Sequence, residues 1–216
     1  MSAQQPQHAA IGDDIAALAL IARPALNIAV WRRLLPLCLR HFAQAMAEQA
    51  EQDVCFWLDA KQDAGPAARH AFAAAGWPAG IGSQAMAADI AQLTKAMRKA
   101  GSGKHLHVDL RCVQTNACRY YHTDRLHLRL LCSYVGPGTE WIPDDAADRS
   151  MLGKGMNAAV LRDPARLQHL QTGWAALLKG DGDHGRRGIV HRSPPLQPGQ
   201  RRLVLTIDEP GPHLPD

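Results

Sequence analysis

Apolar residues recur at helical spacing through most of the first hundred positions of the chain. Over 84–100, four of them fall on one face of a helix that would end before a glycine: Met86, Ile90, Leu93 and Met97. The same spacing, in alanine-rich segments, predicts three more helices, over 15–21, 36–51 and 67–75. A short apolar run over 26–31 predicts a strand between the first two of them. The first half of the chain is therefore expected to be mainly helical.

After Lys104 the pattern changes to short runs, most of them rich in β-branched and aromatic residues. Six such runs predict strands, over 105–113, 118–122, 126–135, 172–178, 188–191 and 202–208. They are separated by Gly-Pro-Gly, Gly-Asp-Gly and Pro-Gly turns. Helices followed by many short strands predict an α+β fold, in which a helical N-terminal half packs against a double-stranded β-helix (jelly roll) core. The alternative, which composition alone favours, is a plain sandwich without a site.

Length and composition are those of one globular domain. The 216 residues include 46% apolar and 20% charged residues. We expect a tail at 1–10 and a single domain at 11–216, with a helical part at 11–104, the jelly roll at 105–208 and a tail at 209–216. The N-terminal segment lacks a secretory pattern, and no apolar run approaches the roughly 20 residues of a membrane span. A cytoplasmic protein without a membrane segment is expected.

Charge and cysteine usage narrow the classes of partner. The net charge of +4 is mild and the basic residues are spread along the chain, which does not favour a nucleic-acid partner. The five cysteines lack the spacing of a disulfide framework. Neither feature selects between a small-molecule and a protein substrate, and neither predicts an oligomeric state.

The strongest local motif is Cys118-Arg-Tyr-Tyr-His-Thr-Asp124. Side chains alternate on a strand, so Cys118, Tyr120, His122 and Asp124 are expected on one face, where polar groups need a partner. A His-x-Asp pair directs an imidazole nitrogen and a carboxylate oxygen to one point, as two of the three ligands in a 2-His-1-carboxylate metal site. The alternative is a buried, hydrogen-bonded His–Asp pair.

A later apolar run ends in a second histidine. His191 follows Gly188-Ile-Val and precedes a turn at Arg-Ser-Pro, after which the last predicted strand begins. His122, Asp124 and His191 are therefore predicted to hold one divalent metal, with His184 as a reserve ligand. His191 could instead simply begin the turn.

This order of residues resembles the Fe(II)/2-oxoglutarate-dependent dioxygenases, over roughly residues 111–208. The resemblance implies Fe(II) and 2-oxoglutarate as cofactors and hydroxylation of a substrate C–H bond. In that superfamily an arginine after the distal histidine grips the distal carboxylate of the co-substrate, which implies Arg202, with Arg201 as the fallback. Tyr120 and Tyr134 are candidates to hydrogen-bond the co-substrate. Strand alternation favours Arg201 instead, because Leu203, Leu205 and Ile207 are expected on the same face of the strand as Arg201.

The chain also resembles a bacterial domain family of unknown function. The shared motifs are Cys118-x-x-x-His-x-Asp124, Tyr134-Val-Gly-Pro-Gly-Thr-Glu-Trp141 and His191-Arg-Ser-Pro194. This resemblance implies the fold and the site residues and no particular reaction.

Several residues near these motifs keep two interpretations. A Cys118 thiolate would favour zinc, but it lies roughly 13 Å from His122 along an extended strand, which favours a packing role. Glu140 and Trp141 either recognise substrate or support a ligand from behind, or they only follow a tight turn. Arg192 is a candidate charge at the cavity rim. The alternative functions are a zinc-binding or zinc hydrolase-like protein of the same fold without oxygenase activity, and a purely structural interaction domain.

Overall fold

Two β-sheets that face each other form the framework of the protein, in a computed structural model that describes residues 8–115, 118–182 and 187–210. The strands in these residues are β1 (Ala9–Gly12), β2 (Ile28–Trp31), β3 (Val54–Asp59), β4 (His105–Val113), β5 (Leu128–Val135), β6 (Glu140–Ile142), β7 (Gln168–His169), β8 (Ala175–Lys179), β9 (Val190–Arg192) and β10 (Arg202–Glu209). The α-helices are α1 (Leu37–Gln49), α2 (Ala64–Ala74), α3 (Ile81–Ala100) and α4 (Asn157–Val160). Short 3-10 helices span Ile15–Ala22, Asp144–Ala146, Arg149–Met151 and Pro164–Arg166.

The larger sheet has seven strands in the order β1-β2-β8-β5-β10-β4-β3, and the smaller has three in the order β7-β6-β9. The pairings are antiparallel except that of β1 with β2. Helices α1 to α3 cover one face of the larger sheet, and the smaller sheet covers part of the other. The expected mixture of helices with a β-sheet core is therefore present. Among the described residues, no helix is both long and apolar enough to cross a membrane.

Side chains on β10 alternate between two apolar layers. Leu203, Leu205 and Ile207 pack among the helices, whereas Val204 packs between the two sheets with residues of β5, β6 and β8. The core is therefore double, with a helix–sheet layer and a sheet–sheet layer. Arg202 lies on the same side of β10 as Val204, which directs it between the sheets.

Helix α3 confirms the apolar stripe that the sequence indicated. Its four predicted contact residues are fully buried: Met86, Ile90, Leu93 and Met97. The helix begins at Ile81, three residues before the predicted start. There the Ser83 hydroxyl accepts a hydrogen bond from the backbone N–H of Gly80 at 2.9 Å and satisfies one of the free donors at the helix start.

Two N-terminal segments differ from the expectation. The helix predicted over 15–21 is a 3-10 helix, Ile15–Ala22, capped by Asp14, whose carboxylate accepts a hydrogen bond from the backbone N–H of Ala16 at 2.7 Å. Strand β1 includes residues 9 and 10, which the sequence assigned to a tail. This strand is held by parallel pairing with β2, a long-range contact that a local pattern does not reveal.

The strand predicted over 118–122 is not formed. Cys118 has a φ of 54°, a left-handed conformation that ends extended structure, and from this segment only His122 makes a β-bridge, to His191. The expectation that Cys118, Tyr120, His122 and Asp124 share one strand face is therefore wrong. Strand β3 was not predicted, and the strand predicted over 172–178 begins later, at Ala175.

A buried polar cluster joins the helical layer to the larger sheet. The carboxylate of Asp89, in α3, accepts hydrogen bonds from two nitrogens of Arg33 and, at 2.6 Å, from the hydroxyl of Tyr134 on β5. Burial raises the pKa of Tyr134 well above its usual value, so its hydroxyl stays protonated and donates. Asp89 is thus the acceptor that Arg33 and Tyr134 share, while Nε of Arg33 also donates to the carbonyl oxygen of Gly173 at 2.8 Å.

We expect Asp89→Asn to lower the free energy of unfolding by about 2 kcal/mol, because hydrogen bonds to a buried charge are lost while Arg33 stays buried. Asp13→Asn is the matched control: Asp13 pairs with the neighbouring Arg32 at the surface, and its loss should change stability by less than about 1 kcal/mol. Urea unfolding of both variants measures the difference. Equal effects of the two substitutions would contradict this account.

Candidate metal centre

Three potential metal ligands meet between the two sheets. His122, Asp124 and His191 each offer a ligand atom within 4.8 Å of those of the other two. His191 Nε2 lies 3.5 Å from Asp124 Oδ2, and His122 Nε2 lies 3.9 Å from Asp124 Oδ1. Elsewhere in the residues that the structure describes, no other cluster of three His, Cys, Asp or Glu side chains is this close. The sequence-predicted triad is thus brought together, and that it binds a metal stays a prediction.

Backbone hydrogen bonds fix the two histidines side by side. The N–H of each donates to the carbonyl oxygen of the other at 3.0 Å, and the two ring centroids are 4.6 Å apart. His191 is held in β9, whereas His122 lies in a loop whose backbone pairs with β9 at this one bridge. Asp124 is held by its carbonyl oxygen, which accepts a hydrogen bond from the N–H of Asp181 at 2.7 Å.

Both histidines use Nδ1 for a hydrogen bond to the backbone. Nδ1 of His122 lies 2.8 Å from the carbonyl oxygen of Tyr120, and Nδ1 of His191 lies 3.1 Å from that of Ile189. A carbonyl oxygen only accepts, so each Nδ1 carries a proton and, in the neutral ring, Nε2 keeps its lone pair. Burial lowers the pKa of His191 below its ordinary value, which favours the neutral ring. These are the tautomers that a metal ligand requires.

Arg129 braces the carboxylate of the triad from behind. Its Nη1 donates to Asp124 Oδ1 at 2.8 Å, while Nε and Nη2 donate to the two oxygens of Asp208 at 2.6 and 2.7 Å. Asp124 Oδ2 is buried and has no hydrogen-bond partner among the described residues. It faces the unprotonated Nε2 of His191, and two lone pairs facing each other are favourable only with a cation between them. The donor set therefore fits a divalent metal ion.

We expect Arg129→Gln to raise the dissociation constant for a divalent metal about 10- to 100-fold, the usual cost of losing a residue that orients a ligand. Arg125→Gln, four residues away and exposed, is the control and should leave metal affinity unchanged. Competition titrations with a fluorescent chelator give both constants. Equal affinities for the two variants would show that Arg129 does not orient Asp124.

Two residues of the triad, His122 and His191, line a cavity of about 300 Å³ that is also lined by a buried arginine. Arg202 is 2% exposed; its Nε donates to the carbonyl oxygen of Pro137 at 2.7 Å and its Nη2 to the hydroxyl of Ser133 at 3.1 Å. Both partners are neutral, and within the described part of the chain no carboxylate forms an ion pair with it. Burial lowers the pKa of Arg202 to about 10. A buried guanidinium without a counter-charge creates a position for an anion.

The Gly-Pro-Gly turn holds Arg202 in place. Gly136 has a φ of +77°, and a Cβ there would lie 2.4 Å from the carbonyl oxygen of Arg201, so only glycine fits. Arg201 points away from the cavity, and its Nη1 donates to the carbonyl oxygens of Ala47 and Glu48 at 3.1 Å. Arg202 rather than Arg201 therefore lines the cavity, which corrects the expectation from strand alternation.

Cys118, Tyr120 and Tyr134, the other candidate residues, lie in three different surroundings. Cys118 lines the cavity, but its sulfur is not part of the ligand cluster. Tyr120 is exposed, its hydroxyl accepts a hydrogen bond from Arg119, and its contribution to the site is its carbonyl oxygen. Tyr134 was predicted to reach the co-substrate, but it lies on the helix side of the larger sheet, bonded to Asp89. That prediction is corrected.

The candidates Glu140, Trp141 and Arg192 also differ in where they lie relative to the triad. Glu140 and Arg192 face each other across β6 and β9 and form an ion pair at 2.6 Å. Since neighbouring residues on a strand point to opposite faces, Arg192 and Glu140 face away from His191 and do not contact the triad. Trp141 is the cross-strand neighbour of His191 and is buried in the layer between the sheets. The reserve ligand His184 lies outside the described residues.

Sequence reasoning missed the polar residues that support the site. From strands of the larger sheet, Arg129 donates to Asp124 of the triad and Ser133 accepts from Arg202. Asp208 holds Arg129 in place, and Asp109 lines the cavity. A usable signal existed on β10, where Arg202, Thr206 and Asp208 alternate with the apolar residues.

Comparisons with known proteins identify a family and a fold. A family model described as "Protein of unknown function (DUF1826)" matches residues 12–208. No curated protein was found that matches the sequence. The dioxygenase for auxin oxidation of rice is similar in structure, with 14% identity and a TM-score of 0.51, over 97% of this chain and 84% of that one. The dioxygenase for auxin oxidation 1 of Arabidopsis thaliana, in complex with 2-oxoglutarate, gives 10% identity and a TM-score of 0.50, over 94% and 92%. At these identities the likeness is one of fold.

Proposed function

Because the chain belongs to the DUF1826 family, whose description assigns no activity, we propose a function from the cavity itself: a mononuclear, non-haem Fe(II)- and 2-oxoglutarate-dependent oxygenase that hydroxylates a substrate. One observation carries the proposal. The two histidines of the His122–Asp124–His191 cluster line the same cavity as the buried guanidinium of Arg202, which has no counter-charge. The proposal includes the two sheets as a jelly roll within a single domain, which takes in residues 9 and 10 of β1 together with the predicted 11–216.

The ligand set suits iron that must bind other molecules. Nε2 of His122, Nε2 of His191 and Oδ2 of Asp124 would hold the ion from one side and leave the opposite side open. When bound, ferrous iron supplies the one-electron and O₂ chemistry that amino-acid side chains lack. Arg129 keeps Asp124 oriented, and the Nδ1 hydrogen bonds keep both imidazoles facing the ion.

Arg202 is assigned to the co-substrate. Its guanidinium would bind the distal carboxylate of 2-oxoglutarate, and Ser133 and Pro137 already fix its orientation. Leu131 and Val204 line the same cavity with apolar surface, which excludes water and strengthens that ion pair. The fold shared with a plant dioxygenase seen with 2-oxoglutarate supports this assignment.

A zinc-binding or zinc hydrolase-like protein of the same fold is the second candidate. The observation in its favour is Cys118, which lines the same cavity and carries a ligand atom that zinc prefers to iron. Its sulfur, however, is outside the cluster of ligand atoms, and this reading leaves the buried charge of Arg202 without a role.

Metal content and 2-oxoglutarate turnover separate the two candidates. The oxygenase should be isolated with iron, or accept it, and should release CO₂ from 2-oxoglutarate slowly in the presence of O₂ even without its substrate. Stoichiometric zinc, with no 2-oxoglutarate turnover after replacement by Fe(II), would reject the oxygenase and select the second candidate.

A further inference from the structure

A buried carboxylate faces the cavity on the side away from Arg202. Asp109 is 5% exposed and lies in the middle of β4, where His107, Asp109 and Arg111 point to the cavity side of the larger sheet. Its cross-strand neighbour on β10 is Thr206, which also lines the cavity. Asp109 is not one of the three potential metal ligands. Its carboxylate is therefore not committed to a metal ion.

Only half of this carboxylate has a partner. Oδ2 accepts a hydrogen bond from Nη2 of Arg111, whose side chain is 63% exposed at the cavity mouth. Oδ1 is buried and has no hydrogen-bond partner among the residues described. A buried, ionised oxygen without a donor is unfavourable, and a ligand that donates an N–H to it would remove this cost.

An exposed aromatic ring flanks the same wall. Trp57, on the edge strand β3, is 61% exposed and pairs with His107, with ring centroids 4.7 Å apart. Because His107 lines the cavity, Trp57 lies on the cavity side of the sheet at the end of this wall. The direct neighbour of Asp109 on β3 is Cys55, and Trp57 is diagonal to Asp109, a separation that a large aromatic side chain can span. An indole face within reach of a carboxylate is the combination that binds ammonium and guanidinium groups, through the ring quadrupole and an ion pair.

The other carboxylates near the cavity already have partners within the protein. Asp124 belongs to the triad, and both oxygens of Asp208 are occupied by Arg129. Arg202 is the position for an anion at the other end of the cavity. Asp109 is then the one cavity-lining carboxylate, within the described ranges, that retains an unpaired oxygen.

We propose that Asp109, flanked by Trp57, binds a protonated nitrogen of the substrate, so that the substrate class is molecules carrying an ammonium or guanidinium group. This inference rests on the proposed function only in taking the cavity as the place where substrate binds. It assigns the carboxylate wall of β4 to the substrate and the Arg202 end to the co-substrate.

The test is a nuclear magnetic resonance titration that needs neither iron nor oxygen. The probes are n-butylguanidinium, n-butylammonium and n-butylurea, the last being the neutral counterpart of the first. We expect at least one of the cations to shift the Trp57 indole N–H signal saturably at millimolar concentration, and n-butylurea not to do so. Asp109→Asn should weaken cation binding about tenfold or more, since a charge-assisted hydrogen bond is lost. Asp59→Asn, on the neighbouring strand and exposed, should not weaken it.

Three results would overturn the proposal: equal binding of n-butylurea, undiminished cation binding by Asp109→Asn, or no saturable shift with either cation. If Asp109→Asn does not fold, the comparison of n-butylguanidinium with n-butylurea on the unaltered protein still decides. The titration is repeated on protein loaded with Zn(II) and 2-oxoglutarate. Cation binding without any 2-oxoglutarate binding would reject the oxygenase but keep this site, and the reverse result would reject only the cation site.

Discussion

His191→Ala is expected to abolish stoichiometric metal binding while the protein stays folded. His191 is 4% exposed, and its Nε2 faces the unpaired Oδ2 of Asp124 at 3.5 Å, so the substitution removes one of three ligands. The loss of affinity should exceed the roughly 10- to 100-fold that follows from losing a residue behind a ligand. Metal content after dialysis and titration with Fe(II) under anaerobic conditions measure it.

His105→Ala is the matched control for this substitution. His105 begins β4 and is exposed. Among the described residues, its one ion-pair partner is Asp59, with His105 Nδ1 3.1 Å from Asp59 Oδ1. Its removal should leave the metal content unchanged. A His191→Ala protein that is folded by circular dichroism and still holds one metal per chain would show that the metal binds elsewhere.

Arg202→Met should weaken 2-oxoglutarate binding a few hundred-fold and leave metal binding intact. Methionine fills similar apolar space but removes the buried charge on which the distal carboxylate would rest. Truncating one side of a buried charge pair costs about 3–4 kcal/mol, which corresponds to a few hundred-fold in dissociation constant. Isothermal titration of the Zn(II)-loaded protein with 2-oxoglutarate measures the change without turnover.

The adjacent arginine provides the control. Arg201→Met removes the same charge from the neighbouring position, but that guanidinium bonds the carbonyl oxygens of Ala47 and Glu48 on the helix side. Its effect on 2-oxoglutarate affinity should be small. Equal losses in the two variants would mean that general charge, and not a specific contact from Arg202, governs binding.

The candidate ligands could be found from the sequence, although one reason for choosing them was wrong. His122 and Asp124 were predicted from strand alternation, yet Cys118 turns the chain out of extended structure and His122 makes only one bridge. The spacing still works, because a single antiparallel bridge to His191 suffices to bring the rings together. Residue types and their order were therefore more informative than the local secondary structure.

The choice between Arg201 and Arg202 depends on which face of β10 the helices cover, and the sequence of β10 does not show this. Leu203, Leu205 and Ile207 identify an apolar face of β10, and a simple count places the cavity on that face. The larger sheet has apolar layers on both sides, and the helices occupy the side of these leucines. Which face the helices cover is decided by contacts far apart in the chain, so Arg202 could be selected only by its spacing from His191.

Long-range pairs explain the remaining misses. Asp208 and Arg129 are 79 residues apart, and the local sequence around either residue does not predict that the two pair. Strand β3 escaped prediction because it lies among helical segments and is defined by pairing with β4, about fifty residues later. Such contacts follow from the assembled sheets and not from local periodicity.

The most direct test of the proposed function is an anaerobic titration of the Fe(II)-loaded protein with 2-oxoglutarate, followed by visible absorption. The account predicts a charge-transfer band that needs both components and saturates at one equivalent per chain. The band should be lost in His191→Ala for want of iron and in Arg202→Met for want of 2-oxoglutarate. Tightly bound zinc in the isolated protein, and no band after exchange to iron, would contradict the oxygenase and favour the zinc protein, with Cys118 the next residue to replace.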